Sequence, residues 1–395
     1  MKKMLVGASA LAAAALVGWQ AQERRTLPGA RAAVDASQYP SIQAAIDALP
    51  PEGGLVVLPP GTFEIAEPLR IARGDVHLRG AGTSTHLKNV SEAGQPAIRI
   101  GPADFAANRR ARIWRVGLAD FRLTGTEKGG HGIEALGVNE IYLHGLTVSY
   151  HGGDGIHLDD CYEDPRVADC LITYNKKSGL FLKGCHDIVV VGNHFEENLD
   201  ALRCVDGFNL CMTGNNLDDH LRDGVVIENT YGSVVSGNMI EECKGTAIVL
   251  DRDCYGITLS SNVIAHHGGG GIDLRDAHGC AVSANTFVLV KKDALRIGPS
   301  SGRIAVTGNA FSDSEIGGAR KRLARDQDAA GIVLEGTSDV AVSGNLFSGL
   351  STKALTLLGE PSRRVLFAGN VLADGESDHG KLQESAVTDN LEPRR

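Results

Sequence analysis

His157, Asp159, Lys183 and Arg203 fall at spacings that a repeating chain can stack side by side, with His131 and Asp154 just upstream. Imidazole, ammonium, guanidinium and carboxylate gathered in one place are the parts of a proton-transfer site. A histidine or lysine takes a proton from carbon, while a guanidinium neutralises a neighbouring carboxylate and shares the charge that develops. On a uronic acid this is abstraction of the acidic hydrogen beside the carboxylate, with Lys183 or His157 as base and Arg203 on the substrate acid. A lysine base needs a lowered pKa, which a cationic neighbour such as Arg203 would supply.

A second group follows: Glu228, Asp251, Asp273, Arg275 and Arg296. Its carboxylates offer oxygen ligands to Ca²⁺, a cation that would assist the same proton abstraction. They also fit a different reaction, hydrolysis or transfer at a glycosidic bond by an acid and a base carboxylate. Neighbours one or two repeats apart, roughly 5 to 10 Å, span both stereochemical outcomes. Lys177, Arg222 and Lys292 share one position of the repeat, with Lys244 and His267 nearby, and form a basic edge able to steer a polyanion. The plainer reading of both groups is a set of interstrand salt bridges on a solvated sheet. His266 and His267 read as a turn, because adjacent histidines on extended chain point apart. Asp218, Asp219 and His220 read as a solvated turn.

What must hold these residues is legible in another column. Asn193, Asn215, Asn238, Asn262, Asn285, Asn309, Asn345 and Asn370 recur at intervals of 22, 23, 24, 23, 24, 36 and 25 residues. Each follows a small residue and precedes, by two positions, a large apolar one (Phe195, Leu217, Ile240, Ile264, Phe287, Phe311, Phe347, Leu372). Such a unit cannot bury its apolar face alone and must stack on its neighbours. Stacked amides satisfy one another and nearby backbone, so the asparagines are structural. A second pattern begins each unit with a small residue: Gly132, Gly155, Gly179, Ala201, Gly224, Ala247, Gly271, Ala294, Gly331 and Ala354. Isoleucine, leucine or valine follows it, and period-two alternation sends two apolar columns inward and two variable columns outward. The first outward column runs Glu134, His157, Phe181, Arg203, Val226, Val249, Asp273, Arg296; the second runs Leu136, Asp159, Lys183, Val205, Glu228, Asp251, Arg275.

This periodicity predicts one all-β solenoid of about ten to twelve coils, a right-handed parallel β-helix, over residues 97–372. A helical stripe (Ile42, Ala45, Ile46, Leu49) and strand-like pieces make residues 22–96 a cap with lead-in strands, and residues 373–395 a loose polar tail. The long 36-residue interval places a charged insert near 312–328, fit to wall a groove or join two copies of the chain. Forty-nine glycines suit short strands and tight turns. The net charge of −9 argues against nucleic acid as a partner, and no phosphate-cradling loop leads into a helix, which argues against nucleotide use. Lys2 and Lys3 ahead of an apolar run from Met4 to Gly18 read as a signal segment over 1–21, either cleaved for a secreted or periplasmic protein or kept as an anchor. The eight cysteines lack zinc spacing and read as small core residues; Cys161 and Cys185 occupy equivalent places in adjacent coils.

Through "SIQAAIDALPPEGGLVVLPPGTFEI" and "VHLRGAG" the chain resembles the pectin-lyase-like superfamily of parallel β-helices. That resemblance implies the fold and admits lyases, hydrolases, epimerases, esterases and inert proteins. "GDGIHLDD" at 153–160 is similar in part to the Asp-Gly and Asp-Asp elements of polygalacturonases, here nearly fused; their Gly-His-Gly and Arg-Ile-Lys elements are absent. The Asp-Pro-His-Asp tetrad of mannuronan epimerases is also absent, with only Asp164 and Pro165 in its place. The layout loosely resembles inulin fructotransferases. The expectation is an exported carbohydrate-active protein that binds a polysaccharide along the first-strand face, a lyase or epimerase of uronate chains. Hydrolysis or transfer by Glu228, Asp251 or Asp273 is one alternative, and a non-catalytic glycan-binding or envelope protein is another.

Overall fold

Small residues at the strand entrances let successive coils close on one another. At Gly155 a β-carbon would stand 2.7 Å from Asn175 Nδ2 and 2.8 Å from the Gly179 carbonyl of the next coil. Coils that close this tightly build three parallel sheets, of 12, 13 and 18 strands. The structure, a computed structural model, describes residues 27, 29–314 and 328–392. The expected signal segment and most of the charged insert, including Glu315, Arg320, Lys321, Arg322 and Arg325, lie outside the described residues.

The first-strand sheet carries the register read from sequence. Ile133 pairs with Ile156, then Leu180, Leu202, Val225, Ile248, Ile272, Leu295, Ile332 and Leu355 in turn. Glu134, His157, Phe181, Arg203, Val226, Val249, Asp273 and Arg296 therefore form one outward ladder. The apolar residues between them are fully buried in one continuous core. Each such side chain contributes about 1.5–3 kcal/mol.

The asparagine column forms the expected ladder. Every side-chain amide from Asn193 to Asn370 donates to the next Oδ1 at 2.9–3.1 Å, and the same oxygen accepts a backbone N–H. Two positions on, Phe287, Phe311 and Phe347 stack face to face at 4.6 and 4.8 Å. The ladder runs one rung further, to Asn390. Ala386–Thr388 also pairs with Leu366, Phe367 and Ala368, so residues 373–392 add strand pairing where a loose tail was expected. At the other end the coils begin well before residue 97: Gly54–Val57 pairs with Val76–Arg79, and Leu69–Ile71 with Ile98–Ile100. The short helix Ile42–Asp47 buries Ala45 and Ile46 against this part of the core.

All eight cysteines are unpaired thiols, and seven are buried. Burial pushes Cys170, Cys204 and Cys243 up to about 12. At the corner leading into the first-strand sheet a second polar column runs inside the wall: His151, Asn175, Asn198, His220 and His267. Asn175 donates to Asn198 Oδ1 at 2.9 Å, and His220 Nδ1 lies 3.3 Å from the Asn198 carbonyl. His220 is thus a core residue and no part of a solvated turn. His266 and His267 do diverge: His266 faces Glu241 at 2.8 Å, while His267 is buried with Nε2 3.1 Å from the Ile240 carbonyl.

Candidate functional site

The strand Ile156–Asp159 and the turn before it bring His131, Asp154 and His157 together. His157 Nδ1 lies 2.9 Å from Asp154 Oδ2. A carboxylate only accepts, so this nitrogen carries the proton and the neutral ring holds its lone pair on Nε2. Asp154 Oδ1 takes the Ser178 N–H at 3.0 Å, which fixes the carboxylate plane. Asp154 is 5% exposed. Burial alone would raise its pKa, but the hydrogen bonds from His131 and His157 outweigh it and hold the group at about 2. His131 Nδ1 stands 3.0 Å from the Asp154 backbone nitrogen and 3.1 Å from Oδ2. Neutral, it accepts from the N–H; protonated, it donates to the carboxylate. The two imidazoles sit 4.4 Å apart, and Phe181 stacks on the far side of His157 at 4.9 Å.

Beyond this trio, the outward residues are engaged in ion pairs. Asp159 is held by Arg109, at 2.9 Å through Nη2 and 3.3 Å through Nη1, and Asp160 by the same guanidinium at 2.6 Å. Lys183 reaches Asp159 only at 4.0 Å and keeps half its side chain in solvent. Arg203 binds Glu228 at 2.5 Å, and Arg252 approaches the other oxygen of Glu228 at 3.4 Å. The expected support from Arg203 to Lys183 therefore gives way to a pair with Glu228, because the buried carboxylate is the nearer opposite charge. Asp251 lies 3.7 Å from Arg275, which binds Asp273 at 2.8 Å. Arg296 pairs with Asp293 and Glu335. On the basic edge, Arg222 is taken up by the fully buried Asp200 and by Asp223, whereas Lys177 and Lys292 carry no ion pair among the described residues.

Four of the predicted residues meet elsewhere on the face. Asp273, Arg275, Lys292 and Arg296 line a cleft of about 290 Å³, floored by Gly245, Gly269 and Gly270. Arg275 and Arg296 are engaged there by Asp273 and Asp293, which leaves Lys292 as the cation of the cleft without an ion pair among the described residues. For metals, the donor atoms of His131, Asp154 and His157 lie within 4.8 Å of one another. Two imidazoles and one carboxylate suit a transition ion better than Ca²⁺. Among the described residues Glu228, Asp251 and Asp273 do not converge on a point, as Ca²⁺ would require; each faces a guanidinium.

Arg109 is the residue that sequence reasoning missed. It rides on a segment between Ile100 and Ile113 and stacks over Phe105 at 4.3 Å. A signal was present: 35 residues separate Ile98 from Ile133, against 22 to 24 in the seven coils that follow, and the excess carries Arg109, Arg110 and Arg112.

A three-sheeted parallel solenoid with an outward polar ladder defines a class of protein. The chain belongs to the right handed beta helix region family, whose model matches residues 131–287, 202–311 and 252–390. In fold it is similar to the A-module of mannuronan C-5 epimerase AlgE6 from Azotobacter vinelandii, at 17% identity and TM-score 0.61 over 91% of this chain and 100% of that one. The AlgE4 A-module of the same organism gives 15% and 0.53 over 91% and 97%. The Agl-KA catalytic domain gives 14% and 0.56 over 85% of this chain and 69% of that one. At such identities the likeness is one of fold. No curated protein matches the chain by sequence.

Proposed function

We propose that this chain is an exported protein that binds an anionic polysaccharide along the first-strand face and abstracts the proton beside a uronate carboxylate, as a lyase or epimerase. The observation that carries the reading is the Asp154–His157 pair, a buried ionised carboxylate that orients an imidazole and leaves Nε2 outward as base. His157 Nε2 takes the carbon-bound hydrogen, and Asp154 stabilises the imidazolium that forms. Lys183, half in solvent and only loosely paired, neutralises the substrate carboxylate as charge moves onto it. The enolate then collapses. Either the glycosidic oxygen leaves with a proton from His131, giving an unsaturated sugar, or a solvent water gives a proton to the opposite face of the carbon and the hydroxide left behind takes the proton from His157. Lys292, in the cleft with Arg275 and Arg296, holds the carboxylate of a more distant unit. Two fold relatives named as mannuronan C-5 epimerases support a uronate polymer, and Lys2 and Lys3 ahead of an apolar run support export.

The test is a screen of purified protein against uronate and neutral polysaccharides, reading absorbance near 232 nm for unsaturated uronate and reducing ends in parallel. An absorbance rise abolished by His157→Gln supports elimination at this site. Reducing ends without absorbance sink the reading and move the chemistry to Glu228, Asp251 and Asp273. A second reading, a glycan-binding protein without chemistry, draws on the ion-pair lattice of the lower face. Polymer binding with no turnover and no exchange of the uronate proton for solvent deuterium would favour it.

A further inference from the structure

The turn that leads into each first strand is left-handed at one residue in every coil from Tyr150 to Leu289. Three of the seven coils place an acidic residue there (Glu197, Asp219 and Glu242), one a histidine (His266) and one a leucine (Leu289). Two successive coils place tyrosine instead. Tyr150 (φ 63°) and Tyr174 (φ 58°) hold their rings 5.2 Å apart and only 5° from parallel, and Tyr150 is 54% exposed. Leu289 (φ 52°) holds the same position, so what sets the tyrosines apart is the parallel stack and the exposure of the rings. Beside the rings lies a cleft of about 360 Å³, lined also by Thr126, Glu127, Lys176 and Glu197. That volume lies in the range of small-ligand sites. Flat rings beside hydroxyl, carboxylate and ammonium groups match a pyranose, which has an apolar C–H face and a rim of hydroxyls.

Charge narrows the ligand. Lys176 is already paired with Glu127 at 2.6 Å, which leaves Glu197 as the charge of the cleft without an ion pair among the described residues. A uronate carboxylate is disfavoured there, and a neutral sugar is not. Tyr150 also lies on the coil that carries the proposed base. Tyr150 stands four residues before Asp154, and Tyr174 four before Ser178, whose N–H binds the Asp154 carboxylate.

We infer that the Tyr150–Tyr174 cleft is a subsite for a neutral pyranose unit flanking the reacting uronate, so that the substrate is a heteropolysaccharide of uronate and neutral sugars. The inference rests on the reading of the first-strand face as a uronate site. It is tested on the full chain by calorimetric titration with hexasaccharides that alternate uronate and neutral sugar, from hyaluronan and unsulfated chondroitin, and with an all-uronate oligomannuronate hexamer.

The decisive variant is Tyr150→Asn with Tyr174→Asn. Asparagine tolerates the left-handed backbone better than tyrosine, so the rings are removed without straining the turn. Affinity for a mixed hexamer should fall about tenfold, and should return with Tyr150→Phe and Tyr174→Phe, which keep the stack. Affinity for the all-uronate hexamer should move less than about twofold. Equal affinity of wild type and the asparagine variant for the mixed hexamers overturns the subsite, as does an equal loss with the all-uronate hexamer or no hexamer binding by wild type. Turnover is assayed separately. Ring-dependent binding with no turnover would sink the His157 reading and leave the cleft, whereas turnover that ignores the rings does the reverse.

Discussion

Between His131 and Lys183 the first-strand sheet buries a carboxylate under two imidazoles and leaves one ring nitrogen outward; between Arg203 and Glu335 the same sheet sets each carboxylate against a guanidinium. Both halves use one register and one pair of outward columns. Glu134 and Asp159 in the upper half also face guanidinium groups, so what differs is Asp154, whose partners are imidazoles. An imidazole held by Asp154 keeps a second, reactive nitrogen, while Glu228, held by Arg203 and Arg252, has both oxygens engaged. Under the proposed function the lower half is an ion-pair lattice and the upper half is the place for the proton transfer.

The contrast is broken most directly at His157. His157→Gln should lower turnover about 10³-fold with unfolding unchanged, while Asp251→Asn should lower it less than about threefold. A large loss at Asp251, followed by the same absorbance assay, would reverse the assignment of the two halves.

Next in size is a pH effect that both halves share. Burial pushes His151, His220 and His267 down to about 4. Their unfolded forms take protons near pH 6.5, so the folded state is favoured above that value and loses stability as pH falls from about 6.5 to 4. The loss approaches about 3 kcal/mol for each ring that stays buried. Asp154 acts in a lower window: its contribution is complete above its ordinary value of 3.8 and is lost as pH falls through about 2. Urea unfolding as a function of pH should therefore show the main decline above pH 4, and His220→Asn should make it shallower.

Arg203→Ala should cost about 2 kcal/mol of stability in urea, because Glu228 stays buried with only Arg252 beside it. Arg203→Met combined with Glu228→Leu should recover most of that loss. Recovery of stability without recovery of turnover would return Arg203 to the catalytic group. The smallest effect is expected at Lys183, where alanine should lower kcat/KM about tenfold, or about 1.4 kcal/mol, and the gap from wild type should shrink at high salt.

Much of this protein is readable along one dimension. The asparagine interval and the small residue before each first strand set which residues become neighbours, since a parallel solenoid stacks position i on its equivalent one coil away. The fold, the ten-rung register, the amide ladder and the meeting of His157 with Asp154 and His131 follow from that rule. What the rule leaves open is which neighbour a side chain chooses. Arg203 lies within reach of several outward groups and settles on Glu228; Asp159 is claimed by Arg109 from a segment outside the repeat; Arg222 turns to the buried Asp200 and leaves the basic edge to Lys177 and Lys292. The burial of His151, His220 and His267 likewise depends on which side of a turn faces the core. Periodicity determines adjacency because backbone hydrogen bonds between coils impose it. Rotamers, turns and competition among charges decide pairing, and those exist only once the coils are stacked.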